Sequence, residues 1–107
     1  MNNNRPRIFV PLAQEPWSRF AQGFKSVEVR NRGSPVAHQV RKAPGGTPVT
    51  LRLGYSGTRE IQGRLGGVWE VDRWNDLPED VQRRADVRLH DAWFDEDKPI
   101  VAFEVIL

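Results

Sequence analysis

The sequence predicts a small α+β domain, a mostly-β barrel of five to six strands with two short flanking helices. Three observations carry this. Residues 26–30 and 49–55 alternate side-chain type with the period of a strand. Residues 15–24 place Trp17, Phe20 and Phe24 at spacings of three and four, the pattern of an amphipathic helix. The chain has 107 residues and no cysteine, which suits one core and excludes a disulfide scaffold. Closure into a barrel would remove exposed sheet edges from so short a chain. An open α+β sheet is the alternative.

The elements follow in order. Residues 1–6, rich in asparagine, read as a flexible tail, so the single domain spans 1–107. A first strand centres on Ile8, Phe9 and Val10, and Pro11 marks its end or an edge position. A helix over 15–24 takes Pro16 in its first turn and Gly23 near its end. Residues 26–30 form a strand with Val27 and Val29 inward and Ser26, Glu28 and Arg30 on the opposite face. Turn clusters at 31–35 and 44–48 flank a helical turn or irregular crossing. A strand over 49–55 carries Val49, Leu51, Leu53 and Tyr55 on one face. Residues 60–65 and 68–74 are strand segments, with Gly63, Gly66 and Gly67 allowing bends or bulges. Asn75 or Asp76 caps a helix that takes Pro78 in its first turn. Residues 95–99 turn, and 100–107 are the final strand. The order is β-α-β-β-β-α-β.

Composition excludes several chemistries. Without cysteine there is no thiol nucleophile and no cysteine-ligated metal. Two isolated histidines, His38 and His90, argue against a metal centre, and no cofactor motif is present. No apolar run approaches a membrane span, and the first residues lack a signal-peptide core. The expectation is a cytoplasmic, soluble protein, a monomer or weak dimer, with no metal and no membrane partner.

Charge is unevenly distributed. Residues 1–53 hold nine basic and two acidic side chains; residues 54–107 hold seven and twelve. Thirteen of the sixteen basic residues are arginine, which contacts phosphate and carboxylate through a planar fork. A basic half points to a nucleic-acid or nucleotide partner, unless the two halves pair with each other in the fold.

The densest polar cluster is Gly23-Phe24-Lys25-Ser26-Val27-Glu28-Val29-Arg30. Charges such as Glu28 and Arg30 are not buried unpaired, so they pair, flank a wet groove or bind a ligand. Gly23-x-Lys25-Ser26-x-Glu28-x-Arg30 resembles the G-x-K-[ST]-x-E-x-R signature of the ASCH domain family, within the PUA-like superfamily. The resemblance runs from the strand at 7–11, through 47–53 and Val68-Trp69-Glu70-Val71, to the closing strand at 99–107. It implies a PUA-like barrel with a cleft beside Lys25 that binds RNA or a nucleotide. Some relatives are amidohydrolases that deacetylate acetylcytidine, and one is nuclease-like. In the deacetylases a lysine at the Lys25 position and a helical glutamate act, with a threonine as candidate nucleophile. Here Glu28 occupies the threonine position, so Ser26 would have to substitute. Glu79, Asp80 and Asp86 are candidates for the helical acid.

The reading is therefore a basic cleft binding RNA or a nucleotide through Lys25, Glu28, Arg30, Tyr55 and Ser56. Lys25 and Arg30 would hold phosphate and Tyr55 would stack on a base. Lys25, Ser26 and Glu28 are the candidate catalytic residues if the protein is a hydrolase of a modified nucleoside or a ribonuclease. Glu28, three residues from Lys25, favours a lysine that binds phosphate or polarises a carbonyl over a free-base nucleophile. A protein-interaction adaptor is the third reading; it predicts an exposed apolar patch around Trp74 or Trp93. Trp74 is the indole expected to be most exposed. His38 reads as a surface histidine beside Arg41 and Lys42. Arg83, Arg84 and Arg88 read as a solvated helical edge.

Overall fold

The computed structural model describes residues 7–55, 57–87 and 95–107. Its elements are β1 (Ile8–Leu12), α1 (Gln14–Gln22), β2 (Val27–Asn31), α2 (Pro35–Lys42), β3 (Pro48–Leu53), β4 (Glu60–Val71), a 3-10 turn (Trp74–Asp76), α3 (Glu79–Ala85) and β5 (Ile100–Ile106). The five strands form one curled sheet in the order β1-β3-β4-β5-β2. β1 runs parallel to β3, and every other pairing is antiparallel.

This departs from the sequence reading in three ways. First, no ladder joins β1 to β2, so the sheet is a half-barrel with two edges rather than a closed barrel. Second, residues 35–42 form a full helix, α2, making three helices instead of two. Ser34 caps it, its hydroxyl accepting from the Ala37 N–H at 3.2 Å, and Pro35 opens the first turn. Third, the two strand segments after residue 60 are one long strand. Its register shifts between Leu65 and Val68, where Gly66 and Gly67 form the bulge.

α1 ends where glycine must end it. Gly23 adopts φ 84°, the Phe24 N–H donates to the Arg19 carbonyl at 2.9 Å, and the Gly23 N–H donates to that of Phe20 at 3.1 Å. This pair of bonds closes the helix in a left-handed cap. Phe24 therefore lies beyond the helix and is exposed, while Phe20 is fully buried. The expected shared face holds for Trp17 and Phe20 only.

Side chains sort into two apolar clusters, one on each face of the sheet. The first joins Ile8, Val10, Phe20, Val40, Leu51 and Phe103 under α1 and α2. The second joins Val27, Val29, Trp74, Val81, Ile100 and Ala102 under α3. β5 lies between them, which explains its continuous apolar run: Val101, Phe103 and Val105 face one cluster, Ile100 and Ala102 the other. β2 is likewise covered on both faces. Glu28 pairs with Phe103 and Arg30 with Val101, so both polar side chains share the face of the first cluster. Trp74 is buried at 8% exposure in the second cluster, against the expectation of an exposed indole. Trp93 lies outside the described residues. Pro78 serves as the residue before α3 and not as part of its first turn. No helix among the described residues is long and apolar enough to cross a membrane.

β4 and β5 approach closely at Gly63. A Cβ there would stand 2.8 Å from the Ile106 carbonyl oxygen and 2.8 Å from Val105 Cγ1. Backbone cannot step aside as a side-chain tip can. Gly63→Ala is expected to cost about 1–3 kcal/mol in urea denaturation, with no change in the cleft described next.

Candidate functional site

The unpaired edges of β1 and β2 face each other, and a cleft of about 550 Å³ opens there. One wall is the end of β1 with the start of α1: Pro11, Leu12, Pro16 and Arg19. The other includes Asp86 and Val87, just after α3. Lys25, Glu28 and Arg30 also line it.

Glu28 is 6% exposed and holds two cations. Its Oε2 accepts from Arg30 Nε at 2.8 Å, and its Oε1 lies 3.4 Å from Lys25 Nζ. Lys25 is 4% exposed. Its Nζ also donates to the Ala85 carbonyl, at the C-terminal end of α3, where the helix carries its partial negative charge. The Nζ further sits 5.5 Å from the centre of the Phe20 ring. Arg30 reaches across the gap, donating from NH2 to the Pro11 carbonyl at 2.7 Å. That bond joins the two sheet edges through a side chain. It is possible because β1, as an edge strand, leaves carbonyls unused by the ladder.

Asp86 stands in the left-handed region at φ 49°, the one non-glycine residue there among those described. Aspartate tolerates this conformation better than most residues. Its Oδ2 accepts from Arg19 NH1 at 2.6 Å, and Arg19 NH2 donates to Glu15 at 3.2 Å. The bond to Asp86 is the chief reason the Arg19 pKa is raised further above its ordinary value. Of the three acids considered for the helical position, Asp86 lines the cleft and Glu79 and Asp80 do not. Asp80 pairs with Arg84 at 3.9 Å instead.

Among the described residues the cleft is not basic. Arg19, Lys25 and Arg30 are matched by Glu15, Glu28 and Asp86. The uneven charge along the chain is cancelled in space. Arg19 pairs with Asp86, Arg32 with Glu70 and Asp72, Arg41 with Glu70, and Arg52 with Glu60. In each case an early arginine meets a late acid.

Ser26 does not join Lys25 and Glu28. It precedes β2, and its Oγ accepts from Arg84 Nε at 3.0 Å. Arg84 also donates to Glu104, and Glu104 accepts from the Gly67 N–H at 3.1 Å. Ser26 is thus part of a clamp tying α3 to β5 and the β4 bulge, away from the cleft lining. Tyr55 is 81% exposed and absent from the lining. It follows β3 at the same end of the sheet, since Leu53 pairs with Leu12 of the cleft wall. Ser56 lies outside the described residues. The sequence reading missed Arg19, Glu15 and Ser34, all of which line the cleft. Glu15 and Arg19 are an i,i+4 pair on α1, so their spacing was visible as a polar pair but not as a wall. Among the described residues no group of three or more His, Asp or Glu side chains could hold a metal.

No family model matches the chain, and no curated protein matches it significantly in sequence. The backbone does find relatives. The crystal structure of ASCH from Zymomonas mobilis matches with a TM-score of 0.69 at 18% identity, over 95% of this chain and 68% of that one. A serine-to-alanine variant of the same protein gives 0.67, with the same identity and coverage. The fold is that of an ASCH domain. A hypothetical protein of known crystal structure shares it with a TM-score of 0.65 at 14% identity, over 94% of this chain and 97% of the other. The ASCH-type half-barrel places Lys25, Glu28 and Arg30 at the gap between its edge strands.

Two outcomes are expected from this geometry. Lys25→Met leaves the Ala85 carbonyl unbonded and Glu28 short of one cation, at a cost of about 3 kcal/mol in chemical denaturation. Adding Glu28→Gln to that variant should recover part of the loss. The clamp predicts a pH dependence. The Gly67 N–H and, after it, Arg84 hold the Glu104 pKa below its ordinary value of 4.5, burial opposing them. A lowered folded-state pKa gives stability that is present above pH 4.5 and lost as pH falls through the folded value. Glu104→Gln should flatten thermal stability measured across that acid range.

Proposed function

We propose that the cleft binds a nucleoside unit, free or within RNA. The observation that carries this is the buried Glu28 holding Lys25 and Arg30 in a charge-balanced cleft with apolar wall residues Pro11, Leu12, Pro16 and Val87. A polyanion gains little from such a site. A neutral, flat ligand with hydrogen-bonding edges gains more. The apolar residues would pack on its faces, as in most small-molecule pockets. Among the described residues, two bonds of Lys25 Nζ and those of Arg30 Nε and NH2 are accounted for. One ammonium N–H and the Arg30 NH1 group remain as donors for a base carbonyl. Asp86 Oδ1 remains as an acceptor for a base amino group. Tyr55, exposed near the same end, supplies a stacking ring for a neighbouring base.

A second reading is hydrolysis of an acylated nucleoside. It is favoured by the presence of Asp86 with Lys25 in the same cleft. Lys25 would polarise the acyl carbonyl, and Asp86 would take a proton from the attacking water and return it to the departing nucleoside nitrogen as the bond from that nitrogen to the acyl carbon breaks. Glu28 suits that second task less, because each of its oxygens already faces a cation. Ser26 lies outside the cleft lining with its Oγ accepting from Arg84, so this reading takes water as the nucleophile.

Calorimetric titration with cytidine and acetylcytidine tests both. Binding that depends weakly on salt, and that falls at least about tenfold in Arg30→Ala through loss of a charged hydrogen bond, supports the binding site. No binding, or binding indifferent to Arg30→Ala, overturns it. Release of acetate that is lost in both Lys25→Ala and Asp86→Asn supports the hydrolase.

A further inference from the structure

A second concavity of about 440 Å³ lies beside the cleft, and Asn31 lines both. Its lining differs from that of the charge-balanced cleft. Arg32, Arg41 and Lys98 line it together with His38, and among the described residues no carboxylate does. The acids that pair with the two guanidiniums are Glu70 and Asp72, which stand outside the lining. Glu70 is shared between Arg32 and Arg41, at 3.4 and 3.2 Å. Lys98 has no side-chain partner among the described residues. Arg32 Nε is buried with no hydrogen-bond partner, only the ion pair to Glu70. Three cations line the groove and two carboxylates pair with them, so among the described residues one positive charge, that of Lys98, is left in excess.

The groove is also built and not merely crowded with cations. The Arg32 N–H donates to the Pro99 carbonyl at 3.1 Å, fixing the end of β2 against the residue next to Lys98. Arg41 NH2 lies 2.8 Å from His38 Nδ1. A guanidinium only donates, so Nδ1 accepts and Nε2 carries the ring proton. His38 thus offers an N–H donor to a ligand while holding Arg41 in place.

We infer that this groove binds a phosphodiester of a single-stranded RNA whose neighbouring base occupies the cleft. The identity of the anion rests on the nucleoside reading of the cleft. The charge pattern itself separates the two tasks: a balanced cleft for a base, a cationic groove for a phosphate, and Asn31 between them. An acidic peptide would also meet the cations, but would leave the adjoining half-apolar cleft without a role. Phosphate contacts position a strand and supply most of the salt-dependent affinity.

The test uses a fluorescent single-stranded RNA pentamer, followed by anisotropy across a salt series, alongside calorimetry with cytidine. The double variant Arg41→Gln/Lys98→Glu is expected to bind the pentamer about tenfold more weakly at low salt. Its log–log salt slope should be shallower by about 0.7, the value for the one phosphodiester the groove holds. Cytidine affinity should not change. Lys98→Glu alone, at an exposed side chain without a partner among the described residues, should give a smaller loss without disturbing the fold. If cytidine binds while both variants keep wild-type pentamer affinity and slope, the groove is overturned and the cleft reading stands. If the pentamer depends on the groove but cytidine does not bind, the cleft reading falls and the phosphate site stands. Binding of neither ligand overturns both.

Discussion

Glu28 is a carboxylate almost fully removed from water, and its two cationic neighbours stabilise it there. Lys25 approaches from the chain entering β2, and Arg30 from two residues further along the strand. Each cation then reaches a different part of the fold. Lys25 bonds to the last residue of α3, and Arg30 to the edge of β1. One buried side chain thereby registers α3, β2 and β1 against each other. Removing any partner would leave charge without compensation in a place water scarcely reaches. The cleft exists because these residues join the sheet edges through side chains, where a backbone ladder would have left no opening.

The same economy of charge runs through the surface. An arginine-rich first half and an acid-rich second half suggest a polarised molecule. In the fold they interleave, and arginines from α1, β2, α2 and β3 regions meet acids from β4 and the end of α3. In the groove beside α2, Arg32 and Arg41 are matched by Glu70 and Asp72, and Lys98 is left over among the described residues. Net charge in a sequence segment predicts partners only when the fold keeps that segment's charges together.

Much of this was legible in the sequence. Alternation placed Val27 and Val29 on one side of β2 and Glu28 with Arg30 on the other. Gly23 marked the end of α1, and Pro11 marked an edge strand. The motif at 23–30 pointed to the cleft and to three of its residues. Other features were not legible, for physical reasons. Ser26 has the right spacing to share a face with Glu28, but it precedes the strand, and Arg84, fifty-eight residues away in sequence, fixes its hydroxyl elsewhere. Trp74, flanked by polar residues, looked exposed; packing under α3 buries it. Asp86 could not be chosen over Glu79 and Asp80, because the choice depends on a left-handed residue meeting Arg19 across the gap.

The sequence by itself determined the local elements and the polar face of β2, because side-chain periodicity is a property of neighbours along the chain. Only the tertiary structure decided that this polar face would be buried, that the barrel would stay open, and that the cleft would be neutral. Those outcomes depend on which distant groups arrive: Ala85, Pro11, Asp86 and the second layer of helices. A strand that alternates polar and apolar residues announces two different faces. Whether the polar one meets water or a lysine and an arginine is settled by the elements that pack against it.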